Sequence, residues 1–291
     1  MSKQREDRHA GRVPSHSICK LVRLTIGLVL LSGWTSASAA EMPATEDPVV
    51  LLQRIRSKVA EHLSRLHNYT CHVVIDRLVR SVSSINSDRR DSVELDVAFV
   101  GDRELFSRPG EARFAEQPIS EIVPHGMIGN DAFGSHDDDV FLGEGATFTY
   151  AGPCKRDGHK TFRYNFRVPL ETSRLLVKQG VSTDAMVAYH GSIWVDVETL
   201  DMVRLEWKTD HIPPSVGISS VEKSMRYKVV HIGNSDFLLP LHSELTSFDQ
   251  RGNYLWNTMT LEHCQEFSGG SIVTYGAPVD QESAQDQRQP R

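Results

Sequence analysis

From Tyr69 onward, apolar and polar residues alternate with a period of two, the repeat of a β-strand with one buried face. Val93, Leu95, Val97 and Phe99 point one way, while Ser92, Glu94, Asp96 and Ala98 point the other. The same alternation predicts strands over 69–79, 160–168, 187–195, 202–209, 225–232, 238–248 and 254–267. Turn chemistry falls between such runs at Arg156-Asp157-Gly158, at Gly233-Asn234-Ser235-Asp236 and at Asp249-Gln250-Arg251-Gly252-Asn253, where hairpins need residues that tolerate positive φ. Ahead of the strands stands one helix. Asp47 supplies an N-cap and Pro48 the first helical position, and Leu52, Ile55, Val59, Leu63 and Leu66 recur at steps of three and four. One helix with roughly nine to eleven strands and no βα alternation predicts an α+β domain: a large curved antiparallel sheet with the helix in its concavity. Consecutive antiparallel pairing is the economical topology for it.

Two stretches interrupt the alternation. Residues 109–145 are rich in Gly, Pro and charge, and 210–220 contain Ile212-Pro213-Pro214. Irregular segments of this length inside a compact domain are expected to be covers or loops with a function. Residues 277–291 are polar, with many Gln and Asp residues, and are expected to be a disordered tail.

The N-terminal 40 residues differ from the rest. A charged leader from Met1 to Arg23, an apolar run from Leu24 to Leu31 and small residues at Ala37-Ser38-Ala39 form the pattern of a cleaved secretory signal peptide. The apolar run is less than half the roughly 20 residues that span a bilayer. The organisation read from the chain is therefore a signal peptide at 1–40, a single domain at 41–276 and the tail at 277–291, with a periplasmic or secreted mature protein that does not span the membrane. Cytosolic nucleotide chemistry becomes a poor expectation for such a protein. Removing the leader's six basic and two acidic residues takes the net charge from −6 to −10, which disfavours nucleic acid as a partner.

Three of the four cysteines, Cys71, Cys154 and Cys264, lie beyond the leader. In an oxidising compartment this suggests one disulfide and one thiol. Sequence does not give the pairing. Cys71 with Cys264, in the first and last strand-like runs, is the pair favoured, and three small buried hydrophobes is the other reading.

No nucleophile elbow, His-Glu-x-x-His motif, phosphate loop or Ser-x-x-Lys motif with a following Lys-Thr-Gly occurs. Ser135-His136-Asp137-Asp138-Asp139, with His125 upstream, offers the oxygens a hard cation wants. It lacks the calcium-loop spacing, so a solvated acidic loop is favoured and metal binding by His136–Asp139 stays open. His62, His67 and His72, spaced by five, fit neither a helical nor a paired-strand zinc set. His190, His211, His231, His242 and His263 are scattered along strands and loops.

The run YHGSIWVDVETLDMVRLEW, Tyr189 to Trp207, resembles the central hairpin of the LolA-like superfamily of periplasmic lipoprotein and lipid carriers. FLLPLHSELTSFD, Phe237 to Asp249, is similar to a later strand of those proteins. The fuller match is to secreted bacterial proteins of this type, through Asn68–Cys71, Phe133-Gly134, Phe148–Gly152 and Cys264, and it covers Asp47 to Tyr275. The resemblance implies an unclosed β-barrel holding a hydrophobic cavity under helical and loop lids. The lipoprotein carrier itself is shorter, and the 109–145 insertion and the three cysteines depart from its pattern.

The expected function is a non-enzymatic binding protein with no cofactor. It holds a lipid or lipoprotein acyl chain in a cavity lined by Ile193, Val195, Trp207, Tyr227 and Phe248. An envelope sensor or adaptor that binds a protein partner is the alternative, and a metal-dependent hydrolase using the His136–Asp139 loop stands behind both.

Overall fold

A computed structural model describes residues 46–266, except 66–68, 83–87, 101–102, 112–113, 115–118, 123–139, 142, 144 and 180–182. The leader at 1–40, the tail at 277–291, His67, His125, Phe133-Gly134 and the Ser135–Asp139 loop lie outside the described residues.

Helix α1 (Pro48–Arg65) leads into β1 (Tyr69–Arg80), β2 (Arg89–Val100) and β3 (Arg103–Ser107). A long connection, which includes the short helix α2 (Ile119–Ile122), reaches β4 (Thr147–Arg156) and β5 (His159–Val168). A small hairpin of β6 (Leu176–Gln179) and β7 (Thr183–Met186) precedes β8 (Tyr189–Asp196) and β9 (Met202–Thr209). A 3₁₀ turn at Pro214–Val216 leads to β10 (Ile218–Ile232), β11 (Ser235–Asp249) and β12 (Tyr254–Glu266).

Ten strands form one antiparallel sheet in the order β3-β2-β1-β12-β11-β10-β9-β8-β5-β4, and β6-β7 form a second sheet of two. The edge strands β3 and β4 do not pair with each other, so the barrel is unclosed. The order departs from simple succession at two places. β1 pairs with β12, joining the first and last described strands, and β5 pairs with β8 across the inserted β6–β7 hairpin. Among the described residues, no helix is long and apolar enough to cross a membrane.

Local chemistry explains the elements. Asp47 Oδ1 accepts the Val49 N–H at 2.8 Å, satisfying one of the donors that a helix start leaves free. Between β4 and β5, Asp157 (φ 48°) and Gly158 (φ 87°) both take the left-handed conformation, as a two-residue hairpin turn requires. Helix α1 buries Leu51, Ile55 and Val59 against the sheet, with Leu52 and Leu63 partly buried beside them; the expected stripe is rotated toward Leu51, and Leu66 lies outside the described residues.

The apolar interior has two parts. The larger gathers side chains of α1, β5, β8, β9 and β10 with Val177 of the small hairpin and Leu175 just before it. The smaller gathers Tyr69, Cys71, Val73, Leu95, Val97 and Leu261 of β1, β2 and β12 with a few neighbours. The 109–145 segment contributes to both, through Ile119 to the smaller and Val140 and Phe141 to the larger.

Candidate functional site

The concave face is built from alternate residues of each strand, which a β-pleat sends to one side. Tyr164, Ile193, Leu205 and Met225 stand opposite one another across β5, β8, β9 and β10, and all four are buried. One register position along, Phe166, Gly191 and Trp207 form the next row. Gly191 is needed there: a Cβ on it would lie 2.8 Å from the Phe166 ring and would collide with the Glu206 carbonyl. Its absence lets Phe166 lie over β8, edge-on to Tyr189, whose ring centroid is 5.8 Å from that of Trp207.

Of the residues expected to line a cavity, Ile193, Val195, Trp207 and Tyr227 all fall in this one apolar cluster beside α1. Phe248 does not join them. Along β11, Ser243, Leu245 and Ser247 face inward, so Phe248 turns to the convex side, where it is 37% exposed and its ring lies 5.2 Å from that of Tyr254. Trp194 also faces outward. It is buried beneath two guanidinium groups, Arg156 at 4.4 Å and Arg163 at 5.3 Å from its ring centroid, an arrangement that favours the cations electrostatically.

The helix covering the concave face is fixed by polar contacts near both ends. Near its start, the Tyr164 hydroxyl donates to the Pro48 carbonyl at 2.8 Å. Burial pushes this phenol up to about 12, with the neighbouring Tyr150 acting in the same direction. Near its end, His62 Nε2 lies 2.8 Å and Lys58 Nζ 3.7 Å from Asp201 Oδ1. Asp201 is presented by the tight β8–β9 turn, which Asp196 organises by accepting the Glu198 and Thr199 N–H groups at 2.9 and 3.1 Å. Burial works to raise the Asp201 carboxyl, but hydrogen bonds with His62 and Thr199 and the Lys58 charge overcome it and hold the group below the usual carboxylate range.

Beside the larger apolar cluster the face turns polar. Lys223 of β10 stands between Trp207 of β9 and Leu245 of β11, and Leu245 stands opposite Asn257 of β12. Lys223 is 6% and Asn257 4% exposed, and Ser243 and Ser247 are buried as well. Sequence reasoning missed this group, although Lys223 shares the parity of Val221, Met225 and Tyr227.

Several histidines pair with acids. His72 Nδ1 lies 3.0 Å from Asp96 and His231 Nδ1 2.9 Å from Asp236, while His242 Nε2 lies 3.3 Å from Glu244 and His190 meets Asp210. Among the described residues, no group of three or more His, Cys, Asp or Glu side chains is placed to hold a metal ion. Cys71 and Cys264 are joined as a disulfide linking β1 to β12, and Cys154 is a half-buried thiol on the edge strand β4.

No family model matches the chain, and no curated protein matches it. Among solved structures it is similar to a putative outer membrane lipoprotein-sorting protein domain from Vibrio parahaemolyticus, with 10% identity, TM-score 0.40 and coverage of 76% of this chain and 95% of that one. A DUF1329 family protein from Desulfovibrio piger shares 11% identity at TM-score 0.42, over 78% of this chain and 96% of that one. A LolA superfamily protein from Nitrosomonas europaea shares 10% identity at TM-score 0.38, over 76% and 94%. With likenesses this loose, the description of the fold stands on the strand order and side-chain placement given above.

Proposed function

We propose that the protein is a non-enzymatic binder of an apolar molecule, a lipid or the acyl part of a lipoprotein, held against the concave face of the sheet on the surface that α1 covers. One observation carries this reading. The inner side chains of β5, β8, β9 and β10 form one apolar surface in an unclosed sheet, covered by separate pieces of chain, among them a helix tied by polar contacts near both ends.

The energetics favour exchange of cover for guest. Three buried helix side chains, Leu51, Ile55 and Val59, contribute about 2 kcal/mol each through burial. A 16-carbon chain gains about 12 kcal/mol gross, at about 0.8 kcal/mol per methylene, before ordering costs. The guest can therefore displace the helix and leave when conditions change. The β1–β12 disulfide fits an oxidising compartment outside the cytoplasm.

The reading as an adaptor for an envelope protein draws on the exposed Phe248 beside Tyr254 on the convex face. The carrier reading is tested by mass spectrometry of organic extracts from natively purified protein, together with displacement of a fluorescent fatty acid. Bound lipid and saturable displacement are expected. A protein that carries no lipid and binds no long-chain amphiphile overturns it.

A further inference from the structure

At one end of the sheet, apolar side chains face outward as a group. Phe248, exposed on the convex face, stands opposite Tyr254, and Tyr254 stands opposite Arg80. One row up, the half-buried Trp256 stands opposite Leu78, and Leu78 stands opposite Arg90. Val82, just past the end of β1, is 65% exposed and lies beside Gly252 of the β11–β12 turn. A single exposed apolar residue is ordinary on a protein surface. Here three aromatic rings and a valine gather at one tip, and Trp and Tyr are the side chains that settle where water meets acyl chains.

Hydrogen bonds hold this tip in place. Asp249 accepts the N–H groups of Arg251 and Asn253 at 2.8 and 2.7 Å and the Asn253 side-chain amide at 2.6 Å. Asn253 in turn accepts the Val82 N–H and the Ser81 hydroxyl, both at 3.1 Å. Gln250 donates its backbone N–H to the Gly217 carbonyl at 3.1 Å and its side-chain amide to the Pro214 carbonyl at 2.5 Å. A tip fastened at these points meets a surface with little further loss of freedom.

The charges around it are unequal. Arg80, Arg89, Arg90 and Arg251 are all exposed. Asp88 is bound by Arg80 through hydrogen bonds of 2.9 and 2.8 Å, and Asp91 is bound by Arg77 at 2.7 Å. Glu222, two strands from Trp256 in the same row, is held by Lys208 at 2.6 Å. Asp76 and Glu244 stand one row further from the tip, on either side of Thr258. Arg89, Arg90 and Arg251 therefore leave a positive excess here even against Asp249, in a chain whose net charge is −6.

We propose that this end of the sheet docks on the surface of a bilayer containing anionic phospholipid. Val82, Phe248, Tyr254 and Trp256 enter at the level of the headgroups, and Arg90 and Arg251 meet the phosphates. The arginines draw the tip to the surface over about a Debye length, and the apolar side chains hold it there. The contact is separate from whatever the concave face holds.

The test is flotation of the mature protein with vesicles of phosphatidylcholine alone and of phosphatidylcholine containing one quarter phosphatidylglycerol. The anionic vesicles are expected to bind about tenfold or more tightly, and raising the salt to about 0.5 M is expected to remove most of the difference. Arg90→Glu combined with Arg251→Glu is expected to abolish the preference for anionic vesicles. Val82→Ser combined with Phe248→Ser is expected to weaken binding to them about tenfold. Both variants are expected to titrate with soluble hexadecanoate as the wild type does. If one pair of substitutions fails to fold, the other pair and the wild-type comparison decide. Equal binding to the two kinds of vesicle overturns the proposal, and so does binding that both variants leave intact. Absence of binding to either kind also overturns it, and leaves this face to a protein partner. None of these outcomes touches the carrier reading, which stands or falls with the hexadecanoate titration.

Discussion

The two halves of the concave face are closed in different ways. The half formed by β5, β8, β9 and β10 is covered by separate pieces of chain: α1, the β6–β7 hairpin and the Val140-Phe141 pair. The half around β1 and β12 is closed mainly by its own strands, with Ile119 of α2, and by a covalent bond between Cys71 and Cys264. Tyr69 there lies between Phe99 and Phe237, with ring centroids 6.2 and 5.7 Å away. Burial pushes its hydroxyl far above the ordinary phenol range, with Glu104 adding to the effect. One half is thus held by a covalent bond between its strands, while the other is covered by separate pieces of chain, and the proposed binding belongs to that helix-covered side.

Removing the bond that fixes the first half should have the largest effect. Replacing both Cys71 and Cys264 by Ala opens a loop spanning 193 residues and is expected to lower stability by about 4 kcal/mol, on the order of 10 °C in Tm. Thermal melts of oxidised wild type and the double variant measure it. If the halves are separate in function, lipid affinity at 25 °C changes little.

Ile55→Ala, beneath the helix, is expected to cost about 3 kcal/mol in ligand-free protein. Because the helix competes with the guest, the same variant should bind a fluorescent fatty acid more tightly. Urea melts and a binding titration read both effects, and an affinity that falls with stability would make α1 part of a fixed core.

His62→Ala should cost about 1 kcal/mol, appearing as faster amide hydrogen exchange in α1 with the β1–β12 ladder unchanged. The pH dependence follows from Asp201. Its carboxyl is lowered in the folded state, so its stabilisation is complete above about pH 4 and is lost as pH falls through the lowered value. Asp201→Asn should flatten that acid-side loosening of the helix. The smallest effect is expected on the convex face, where Phe248→Ser should change stability by no more than about 0.5 kcal/mol and leave lipid binding as it was.

Much of this was legible in the sequence. Asp47-Pro48 announced α1 and Asp157-Gly158 announced its hairpin, while alternation left open whether Trp194 or its neighbours Ile193 and Val195 face inward. Phe248 and Lys223 were harder for the same reason: residue type and strand parity disagree. An apolar side chain reads as inward and a charged one as outward, yet β10 and β11 carry register shifts at Ile218/Ser220 and Arg226/Lys228, and only the paired register settles which side each faces. The β6–β7 hairpin escaped notice because four-residue strands are too short to show a period. Nor does alternation say which strands are neighbours, so the partnership of β1 with β12 was suggested only by their cysteines.

That partnership governs the order of assembly. β1 lies between β2 and β12, one strand following it at once and the other arriving almost at the end of the chain. A polypeptide emerging from its N-terminus can pair β1 with β2 early, but the other flank of β1 stays bare until nearly everything else has been delivered, a long-range closure of the slow kind. Oxidation of Cys71 with Cys264 can then come only as the finishing step, sealing a sheet whose remaining strands are already in hand.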